Sequence, residues 1–480
     1  MSDLGIVKVK PFDHQLKGAK LALNTFESSI NNSTTLNKGF ALLMEMGTGK
    51  SLTSIIIAGK LYQEEKIKRV LIVAPLSILG VWEQEFMKFA NFSYELNVLT
   101  GSLANKKKQL STFSKDGRLK VAIVNYESAW RMKEDLLKFD ADLIIADEGH
   151  KLKDNRSSQS KGMQELGDKA RYKLLLTGTV ITNKEIDIFS QYRFLDRTIF
   201  GDSFYKWRNC YFTMGGYGLH TPIFKKQLTD EFQNKFMSIA YRVRKDECLD
   251  LPPITEEVRA LELEPEAQKI YKQLEDEMFA RFKDDKELTV TNVLTKILRL
   301  SQVTGGYLPN DNDTESTNIS SVKMQALIDI IDSAKQEDKK IVIIARFNNE
   351  LDAIENMLVL KKIKYSVVRG NVKDRDEQIR KFQENPDCKV FVGQIATCGL
   401  GITLTSASIM VFYSLDYSMS NYEQCKARIH RAGQKENCHY IYLVCKNTVD
   451  RKVLRALRSK IDLAKSLVDD FRAGKKTSEE

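Results

Sequence analysis

A glycine-containing turn that ends in a lysine and a serine has the composition of a phosphate-binding site. This segment, MEMGTGKS (44–51), follows an apolar run and precedes a stretch with helical spacing. Such a turn points backbone amides inward, and the helix N-terminus adds a positive dipole end. Gly47 and Gly49 would let the backbone approach phosphate oxygens. Lys50 would reach the β- and γ-phosphates, and the Ser51 hydroxyl would ligate Mg²⁺. A methionine stands where the full GxxxxGK[ST] pattern begins with glycine, so a chance match is the alternative.

An apolar run that ends abruptly in two carboxylates supplies a second part of such a site. In LIIADEGH (143–150), Asp147 falls at the tip of a predicted strand and is placed to hold Mg²⁺. Glu148 is suited to polarise an attacking water. Two buried acids without a cation would be costly, which indicates a metal in the working state. A solvated strand end is the alternative.

A pair of arginines near the far end of the sequence is the third candidate. In QCKARIHRAGQ (424–434), Arg428 and Arg431 are three residues apart, hence on one face if the segment is helical. Such a pair would stabilise charge that develops on a γ-phosphate. Taken alone, the segment would be assigned to a solvated basic face. The order of phosphate loop, acidic pair and arginine pair favours the chemical interpretation.

Short β-branched runs must position these side chains. They alternate with helical stretches, and their nearly continuous apolar composition is typical of parallel strands buried on both faces. The sequence therefore predicts an α/β fold with two sheets, one at each end. The runs are 39–45, 69–75, 120–126, 141–147 and 172–178, then 339–347, 364–370, 388–394, 407–414 and 439–445.

A region of different composition separates the two sets of runs. Residues 185–245 are rich in aromatic and charged residues, and the Pro-Pro pair at 252–253 breaks any helix. The predicted organisation is an N-terminal lobe 1–245 with a helical protrusion at about 185–245, a linker 246–256, a helical protrusion 257–322, a C-terminal lobe 323–471 and a tail 472–480.

Length and composition bound the class of protein. The chain has 480 residues, 42% hydrophobic and 29% charged, which excludes collagen-like and largely disordered classes. No apolar stretch is long enough to span a membrane, and the N-terminus lacks the apolar core of a secretory signal. Seven cysteines are scattered without a CxxC pair, so we expect a reduced, intracellular protein. The net charge of +10 favours a polyanionic partner.

Segments in a fixed order resemble the superfamily-2 helicase-like ATPases, and more narrowly the SWI/SNF-type family of double-stranded-DNA translocases. The resemblance covers nearly the whole chain and implies two RecA-like lobes with helical insertions, and the use of ATP and Mg²⁺. The segments are FDHQLKGAKLAL (12–23), MGTGKS (46–51), VLIVAPLSILGVWEQEF (70–86), VNYES (124–128), DEGH (147–150), LLLTGTVITN (174–183), YRVRKDECLDLPP (241–253), IARFNNELD (344–352), TCGLGITLTSA (397–407) and QCKARIHRAGQ (424–434).

The resemblance also implies roles for individual residues. Nucleotide binding would involve Gln15, which would read the adenine, Gly47, Thr48, Gly49, Lys50, Ser51 and Gly401. Coupling between the nucleotide and the moving segments would involve His150, Thr177, Thr179 and Gln424. Contacts with nucleic acid would involve Pro75, Ser77, Asn125, Tyr126, Arg346 and Thr397.

Several positions depart from the family pattern. Val180 replaces the usual proline, and Gly149 replaces the usual alanine or a similar residue in the acidic box. Thr397-Cys398 stands where Ala-Gly is common, and Thr403 stands where asparagine is. DYSMS (416–420) replaces the Trp-Asn-Pro segment typical of chromatin remodellers. None of these changes removes a group that phosphate chemistry needs, but they weaken the transfer of remodeller-specific DNA contacts.

Three functions remain open at this point. The first is an ATP-dependent translocase that displaces or remodels proteins on double-stranded DNA without obligatory strand separation. The second is a strand-separating DNA or RNA helicase or a restriction-type motor subunit, and the third is a nucleic-acid-binding switch that only clamps. No segment declares a separation pin, which favours the first. We expect a minimal motor with an unidentified protein partner, cytoplasmic in a bacterial or phage-infected cell, or nuclear in a eukaryote.

Overall fold

The computed structural model describes residues 5–27, 38–178, 185–215, 221–284, 290–309, 316–370, 372, 374–398 and 402–459. The chain divides into two compact units, Met1–Leu249 and Asp250–Glu480. The division falls inside the segment 246–256 that the sequence predicts as a linker. Each unit is described by itself below.

A seven-stranded sheet forms the centre of the first unit. Its strands pair in parallel throughout, in the order β3-β4-β2-β5-β6-β1-β9. The strands of this unit are β1 (Lys38–Met44), β2 (Arg69–Ala74), β3 (Tyr94–Val98), β4 (Leu119–Asn125), β5 (Leu143–Asp147), β6 (Tyr172–Thr177), β7 (Phe212–Gly215), β8 (Thr221–Phe224) and β9 (Ala240–Val243).

Helices connect the parallel strands, because a parallel pair needs a crossover connection. The central strands β2, β4, β5 and β6 are buried along nearly their whole length. The helices of this unit are α1 (Asp13–Glu27), α2 (Lys50–Gln63), α3 (Leu79–Phe89), α4 (Leu103–Leu110), α5 (Tyr126–Arg131), α6 (Lys133–Phe139), α7 (Ser158–Lys169), α8 (Ile188–Leu195), α9 (Arg197–Phe200), α10 (Phe204–Tyr211), α11 (Thr229–Met237) and α12 (Lys245–Cys248).

The segment 185–245 is less purely helical than its composition predicts. Strands β7 and β8 form an antiparallel hairpin, and β9 returns to pair in parallel with β1 at the edge of the main sheet. Aromatic side chains of α9 to α11 pack on one another; for example, the ring centroids of Phe200 and Phe232 are 5.3 Å apart. Because β9 belongs to the seven-stranded sheet, only the part of segment 185–245 that precedes β9 can be an insertion.

A six-stranded parallel sheet, in the order β10-β17-β16-β13-β15-β14, forms the centre of the second unit. The strands of this unit are β10 (Ile254–Leu261), β11 (Tyr307–Pro309), β12 (Ser316–Asn318), β13 (Ile341–Ala345), β14 (Tyr365–Val368), β15 (Val390–Gln394), β16 (Ile409–Phe412) and β17 (Cys438–Cys445). Its helices are α13 (Pro265–Asp284), α14 (Val290–Thr304), α15 (Val322–Gln336), α16 (Asn348–Leu360), α17 (Arg375–Glu384), α18 (Ile395–Cys398), α19 (Met419–Lys426) and α20 (Val449–Ser459).

The predicted α/β class with two parallel sheets is confirmed, but the expected helical protrusion 257–322 begins too early. Residues 257–261 belong to β10, which pairs in parallel with β17 over Ile254–Leu261. Glu256 on this strand bonds to Lys426 and Arg458 at 2.5 and 2.8 Å. An edge strand tolerates polar residues, and β10 contains several charged ones. A search for apolar runs therefore does not detect it.

Two expectations about the environment of the chain concern membranes and cysteines. Across the described residues, no helix combines the length and the apolar composition that crossing a membrane requires. All seven cysteines are free, and five of them are buried.

A glycine in β1 tests how closely α8 packs on the first sheet. A Cβ added at Gly39 would lie 2.4 Å from the carbonyl oxygen of Leu195, whereas one at Gly80 would meet no atom within 4 Å. We expect Gly39→Ala to lower the free energy of unfolding by about 1–3 kcal/mol because backbone must move. Gly80→Ala, in α3, should be neutral or stabilise by up to about 1 kcal/mol. Urea unfolding of both variants measures this; equal effects would contradict the close approach.

Candidate nucleotide-binding site

The predicted phosphate loop connects the end of β1 to the start of α2. Gly47 and Gly49 have φ angles of 85° and 91°, which are strained for residues with a side chain. A Cβ at Gly49 would also lie 2.0 Å from Nε2 of Gln15. Because α2 begins at Lys50, its N-terminal amides lie at the end of the loop. The turn therefore has the strand–turn–helix context that phosphate binding needs.

The carbonyl of Thr48 ties this loop to the beginning of α1. His14 Nε2 and Gln15 Nε2 both donate to it, at 2.8 and 3.1 Å. The other end of the Gln15 amide, Oε1, accepts from the backbone N–H of Phe12 at 3.0 Å. In this structure the buried amide of Gln15 holds the loop in place. Its reading of an adenine ring stays a prediction.

Lys50 and Ser51 occupy the first two positions of α2. The Lys50 ammonium donates to the carbonyl of Met44, the last residue of β1, at 3.0 Å. Thr177 is fully buried at the end of β6, which pairs directly with β1. Thr179, which the sequence groups with Thr177, lies outside the described residues. The roles predicted for these side chains remain predictions.

The carboxylate of Asp147 is buried at the carboxyl end of β5 and held from several sides. Trp82 Nε1 donates to its Oδ2, and the backbone N–H of Glu148 donates to its Oδ1, both at 2.9 Å. The hydroxyl of Tyr126 donates to the Asp147 backbone carbonyl at 2.7 Å. Burial, with the adjacent charge of Glu148, raises the pKa of Asp147 to about 6, although Lys50 and Trp82 oppose the rise.

Glu148 turns the chain sharply away from the strand. Its φ of 52° is left-handed, and a short 3-10 helix, Gly149–Leu152, follows it. Oε2 of Glu148 lies 3.3 Å from Nδ1 of His150. A Cβ at Gly149 would lie 2.4 Å from Cγ of Leu175, which explains why glycine replaces the expected alanine. The structure thus brings Glu148 and His150 together, and a coupling role for His150 stays a prediction.

These side chains fit a magnesium ion bound together with a nucleotide. Two adjacent carboxylates lie at the carboxyl end of β5, where burial and the neighbouring charge of Glu148 raise the pKa of Asp147 although Lys50 opposes the rise. Carboxylate and hydroxyl oxygens are ligands that Mg²⁺ accepts, usually alongside substrate phosphates and water. Asp147 and Ser51 are the residues that would hold the ion.

The arginine pair of the second unit is not helical as the spacing suggested. Helix α19 ends at Lys426, and a series of turns follows. The two side chains nevertheless converge, since Nη1 of Arg428 and Nη1 of Arg431 donate to the same carbonyl, that of Ile402, at 3.1 and 3.3 Å. Arg428 Nε also donates to the carbonyl of Gln424 at 2.9 Å. A shared backbone acceptor, rather than helical periodicity, therefore aligns the guanidinium groups.

Gln424 and Gly401 flank this arrangement. The Gln424 side chain is 9% exposed, and its Nε2 donates to Ser420 Oγ at 3.1 Å. Gly401 lies outside the described residues, but the segment that follows it is bonded to the arginine turns. The N–H of Leu404 donates to the carbonyl of Arg428 at 3.0 Å.

Two of the residues predicted to contact nucleic acid are buried in the first unit. Tyr126 is 4% exposed and its hydroxyl donates to the Asp147 carbonyl, so in this structure the side chain faces the acidic pair; its contact with nucleic acid stays a prediction. Asn125 is 8% exposed, and its Oδ1 accepts from Lys106 Nζ at 3.0 Å. Pro75 is partly exposed and caps the short 3-10 helix Leu76–Ile78, which contains the backbone of Ser77.

Arg346 and Thr397 lie at the carboxyl ends of strands in the second unit. The Arg346 guanidinium stacks on the ring of Tyr417, 4.0 Å from its centroid, and lies 3.8 Å from Asp416. The hydroxyl of Thr397 donates to Gln394 at 3.2 Å. Both side chains are partly exposed, and their contact with nucleic acid remains a prediction.

Three residues have structural roles that reasoning from the sequence does not assign to them. Trp82 enters the sequence analysis only as part of a motif, yet it binds the Asp147 carboxylate. Tyr126, predicted to contact nucleic acid, donates to the Asp147 carbonyl. Lys106 is 7% exposed, and burial lowers the pKa of its ammonium. Helical spacing offered a signal for Lys106, because it shares the buried face of α4 with Leu110, four residues later.

Two family models match the sequence. The SNF2-related domain matches residues 14–305, more than half of the chain, and the helicase conserved C-terminal domain matches residues 322–433. Among solved structures, the Sulfolobus solfataricus SWI2/SNF2 ATPase core in complex with dsDNA is similar, with 24% identity and a TM-score of 0.47. The match covers 98% of this chain and 95% of that one.

Curated relatives from distant organisms match almost the whole chain. The DNA repair and recombination protein RDH54 of Saccharomyces cerevisiae is 27% identical over 97% of this chain and 57% of its own length. A probable chromatin-remodeling complex ATPase chain of Oryza sativa is 26% identical over 96% of this chain and 41% of its own. An uncharacterized ATP-dependent helicase of Mycoplasma genitalium is 26% identical over 92% and 41%. The chain thus spans about half the length of these relatives.

Removing the indole donor should weaken the candidate magnesium site without removing an acid. Trp82→Phe deletes the bond to Asp147 Oδ2, and we expect about a 10-fold loss of ATP hydrolysis or of apparent Mg²⁺ affinity. Hydrolysis measured across a magnesium titration tests this, with melting temperature recorded in parallel. Trp130→Phe is the matched control, because Trp130 lies beside Arg131 on α5 rather than on the carboxylate. Equal losses in both variants would contradict the assignment.

The charge of Asp147 should cost stability when no nucleotide is bound. Its pKa of about 6 is above the ordinary 3.8, so the stability it contributes is complete below pH 4 and is lost as pH rises through 6. We expect Asp147→Asn to raise the free energy of unfolding at pH 8 by about 1–3 kcal/mol, an advantage that disappears near pH 4. Denaturant unfolding across pH measures this. The exposed Asp140→Asn should show no such gain.

Proposed function

Because the chain belongs to the SNF2-related family of superfamily-2 helicase-like ATPases, we propose that it is an ATP-driven motor acting on double-stranded DNA. It would move along the duplex and displace or remodel bound proteins, without obligatory strand separation. The observation that carries the proposal is the adjacent acids Asp147, buried and bonded to Trp82, and Glu148, partly buried, at the carboxyl end of the sheet that also carries the phosphate loop. A clamp without turnover would not need this pair.

The first unit would bind the nucleotide and activate water. In the proposed reaction, Lys50 leaves the Met44 carbonyl and pairs with the β- and γ-phosphates. Glu148 orients a water whose oxygen bonds to the γ-phosphorus while the bond to the β–γ bridging oxygen breaks, and it accepts the proton of that water. Magnesium, when bound, would neutralise charge on the phosphate oxygens. His150, 3.3 Å from Glu148, would keep the carboxylate oriented.

The arginine turns of the second unit would supply positive charge during the reaction. Arg428 and Arg431 share the carbonyl of Ile402, so any movement of segment 402–407 changes both guanidinium groups together. We propose that they stabilise charge on the γ-phosphate in the transition state. This linkage would also communicate nucleotide hydrolysis to Gln424 and the neighbouring segment. These roles follow the family pattern at the matching residues.

Double-stranded DNA is the proposed track. The net charge of +10 suits contacts with phosphates that do not depend on base sequence, as a translocating motor requires. The names of the yeast and rice relatives, which refer to DNA repair and chromatin remodelling, point in the same direction. A strand-separating helicase is the alternative, suggested by the name of the Mycoplasma relative. A separate protein partner would direct the motor to its targets.

ATP hydrolysis with different nucleic acids distinguishes these functions. We expect duplex DNA to stimulate hydrolysis at least about 10-fold more than single-stranded DNA or RNA, and the protein to displace the third strand of a triplex without unwinding a duplex. Glu148→Gln should lower the stimulated rate about 10²–10⁴-fold and retain DNA binding, whereas the exposed Glu134→Gln should not. Unwinding would favour the helicase. Binding without turnover would favour a clamp, and normal hydrolysis by Glu148→Gln would refute the catalytic assignment.

A further inference from the structure

A cleft of about 1180 Å³ opens in the first unit, at the opposite end of the strands from the candidate nucleotide site. It lies at the amino ends of β2 and β4, where Arg69 and Lys120 line it. Asp147 and the phosphate loop lie at the carboxyl ends of the same parallel sheet. The end of α2, helices α4 and α6, and the loop 111–118 form its walls. None of the residues assigned to nucleotide chemistry lines this cleft.

The lining is strongly cationic. Three carboxylates are outnumbered by seven cations: Lys68, Arg69, Lys107, Lys115, Arg118, Lys120 and Lys138. Much of the negative charge is neutralised by ion pairs between residues of the cleft wall. Lys120, 9% exposed, pairs with Glu95 at 2.8 Å and also with Asp116, and Lys107 pairs with Asp135 at 2.9 Å.

Three lysines remain available to a ligand. Lys68, Lys115 and Lys138 are exposed and line the cleft, and within the described part of the chain no carboxylate pairs with their ammonium groups. They come from three different segments, before β2, in the loop after α4, and at the end of α6. Their charges therefore surround the cleft rather than form a single solvated helix face. An anionic ligand would meet several of them at once.

The floor of the cleft is apolar. Phe113, which is partly exposed, packs on Phe139 with ring centroids 5.4 Å apart, and the buried side chains of Ile67 and Leu110 also line the cleft. Tyr62 closes one side, because its hydroxyl donates to the carbonyl of Gly117 at 2.9 Å. A cationic rim around an apolar floor is complementary to a ligand that carries both carboxylates and hydrocarbon side chains.

We propose that this cleft is a docking site for an acidic peptide segment of a partner protein, in which Asp or Glu residues alternate with Leu or Phe. The apolar side chains would lie on Phe113 and its neighbours, and the carboxylates would pair with Lys68, Lys115 and Lys138. Nucleic acid fits less well. A phosphate backbone brings no apolar group to the floor, so it would leave Phe113 without an apolar partner. The proposal does not depend on ATP hydrolysis.

Fluorescence anisotropy of the full chain with short fluorescein-labelled peptides tests the site. The first probe alternates Glu with Leu and Phe, the second replaces Leu and Phe by Ser, and the third is polyglutamate. We expect the first to bind at least about 10-fold more tightly than the others. The triple reversal Lys68→Glu, Lys115→Glu and Lys138→Glu should weaken it at least about 10-fold, with the melting temperature retained.

Three further variants separate a specific binding site from a general effect of net charge. The control reversal Lys20→Glu, Lys161→Glu and Lys226→Glu makes the same change of net charge on exposed residues of the same unit, and it should leave peptide binding unchanged. Phe113→Ala should weaken the first peptide and not polyglutamate. Lys50→Ala, which disables the nucleotide site, should leave peptide binding intact, so failure of the motor proposal would not remove this one.

The outcomes that overturn the proposal are distinct. Equal weakening by both triple reversals would mean non-specific attraction, and equal binding of the Leu/Phe and Ser peptides would mean that the apolar floor is not used. If duplex or single-stranded DNA displaces the peptide and the cleft reversal weakens DNA binding by the same factor, the surface binds nucleic acid instead.

Discussion

The burial of the Asp147 carboxylate is the constraint around which the first unit is arranged. A charge removed from water must be compensated by donors and nearby cations, or it takes up a proton instead. Here an indole N–H and a backbone N–H donate to the carboxylate, and the positive charge of Lys50 opposes the rise of its pKa. The fold must therefore place α3, which follows β2 and carries Trp82, and the loop after β1, which leads to Lys50, next to the end of β5.

Parallel strands bring such groups together, because their carboxyl ends all lie at the same end of the sheet. In the first sheet β1 and β5 both pair with β6, so a loop after β1 and an acid at the end of β5 meet at one edge. The second unit also brings two functional side chains together, but by a different interaction. There the carbonyl of Ile402 gathers two guanidinium groups from a non-helical turn, so the alignment depends on a backbone acceptor.

Much of this arrangement is predictable from the residues, and the rest fails for identifiable reasons. Each apolar run became a strand, because strands buried on both faces carry the strongest sequence signal. Strand β10 was missed because Glu256 and Glu257 hide an edge strand whose charges are paired with Lys426 and Arg259. The phosphate loop and acids were found from local pattern. Trp82 and Tyr126 were not assigned to Asp147, because 65 and 21 residues of sequence separate them from their partner.

The contact between Gly149 and Leu175 also limits how this protein can diverge. A methyl group at position 149 would overlap the Leu175 side chain, whose Cγ would lie 2.4 Å away. Alanine at 149 avoids this overlap once position 175 has become smaller, whereas the reverse order passes through an intermediate in which the two side chains overlap. The two positions are expected to show energetic non-additivity. The residue tolerated at position 149 thus depends on the side chain at position 175, on the neighbouring strand β6.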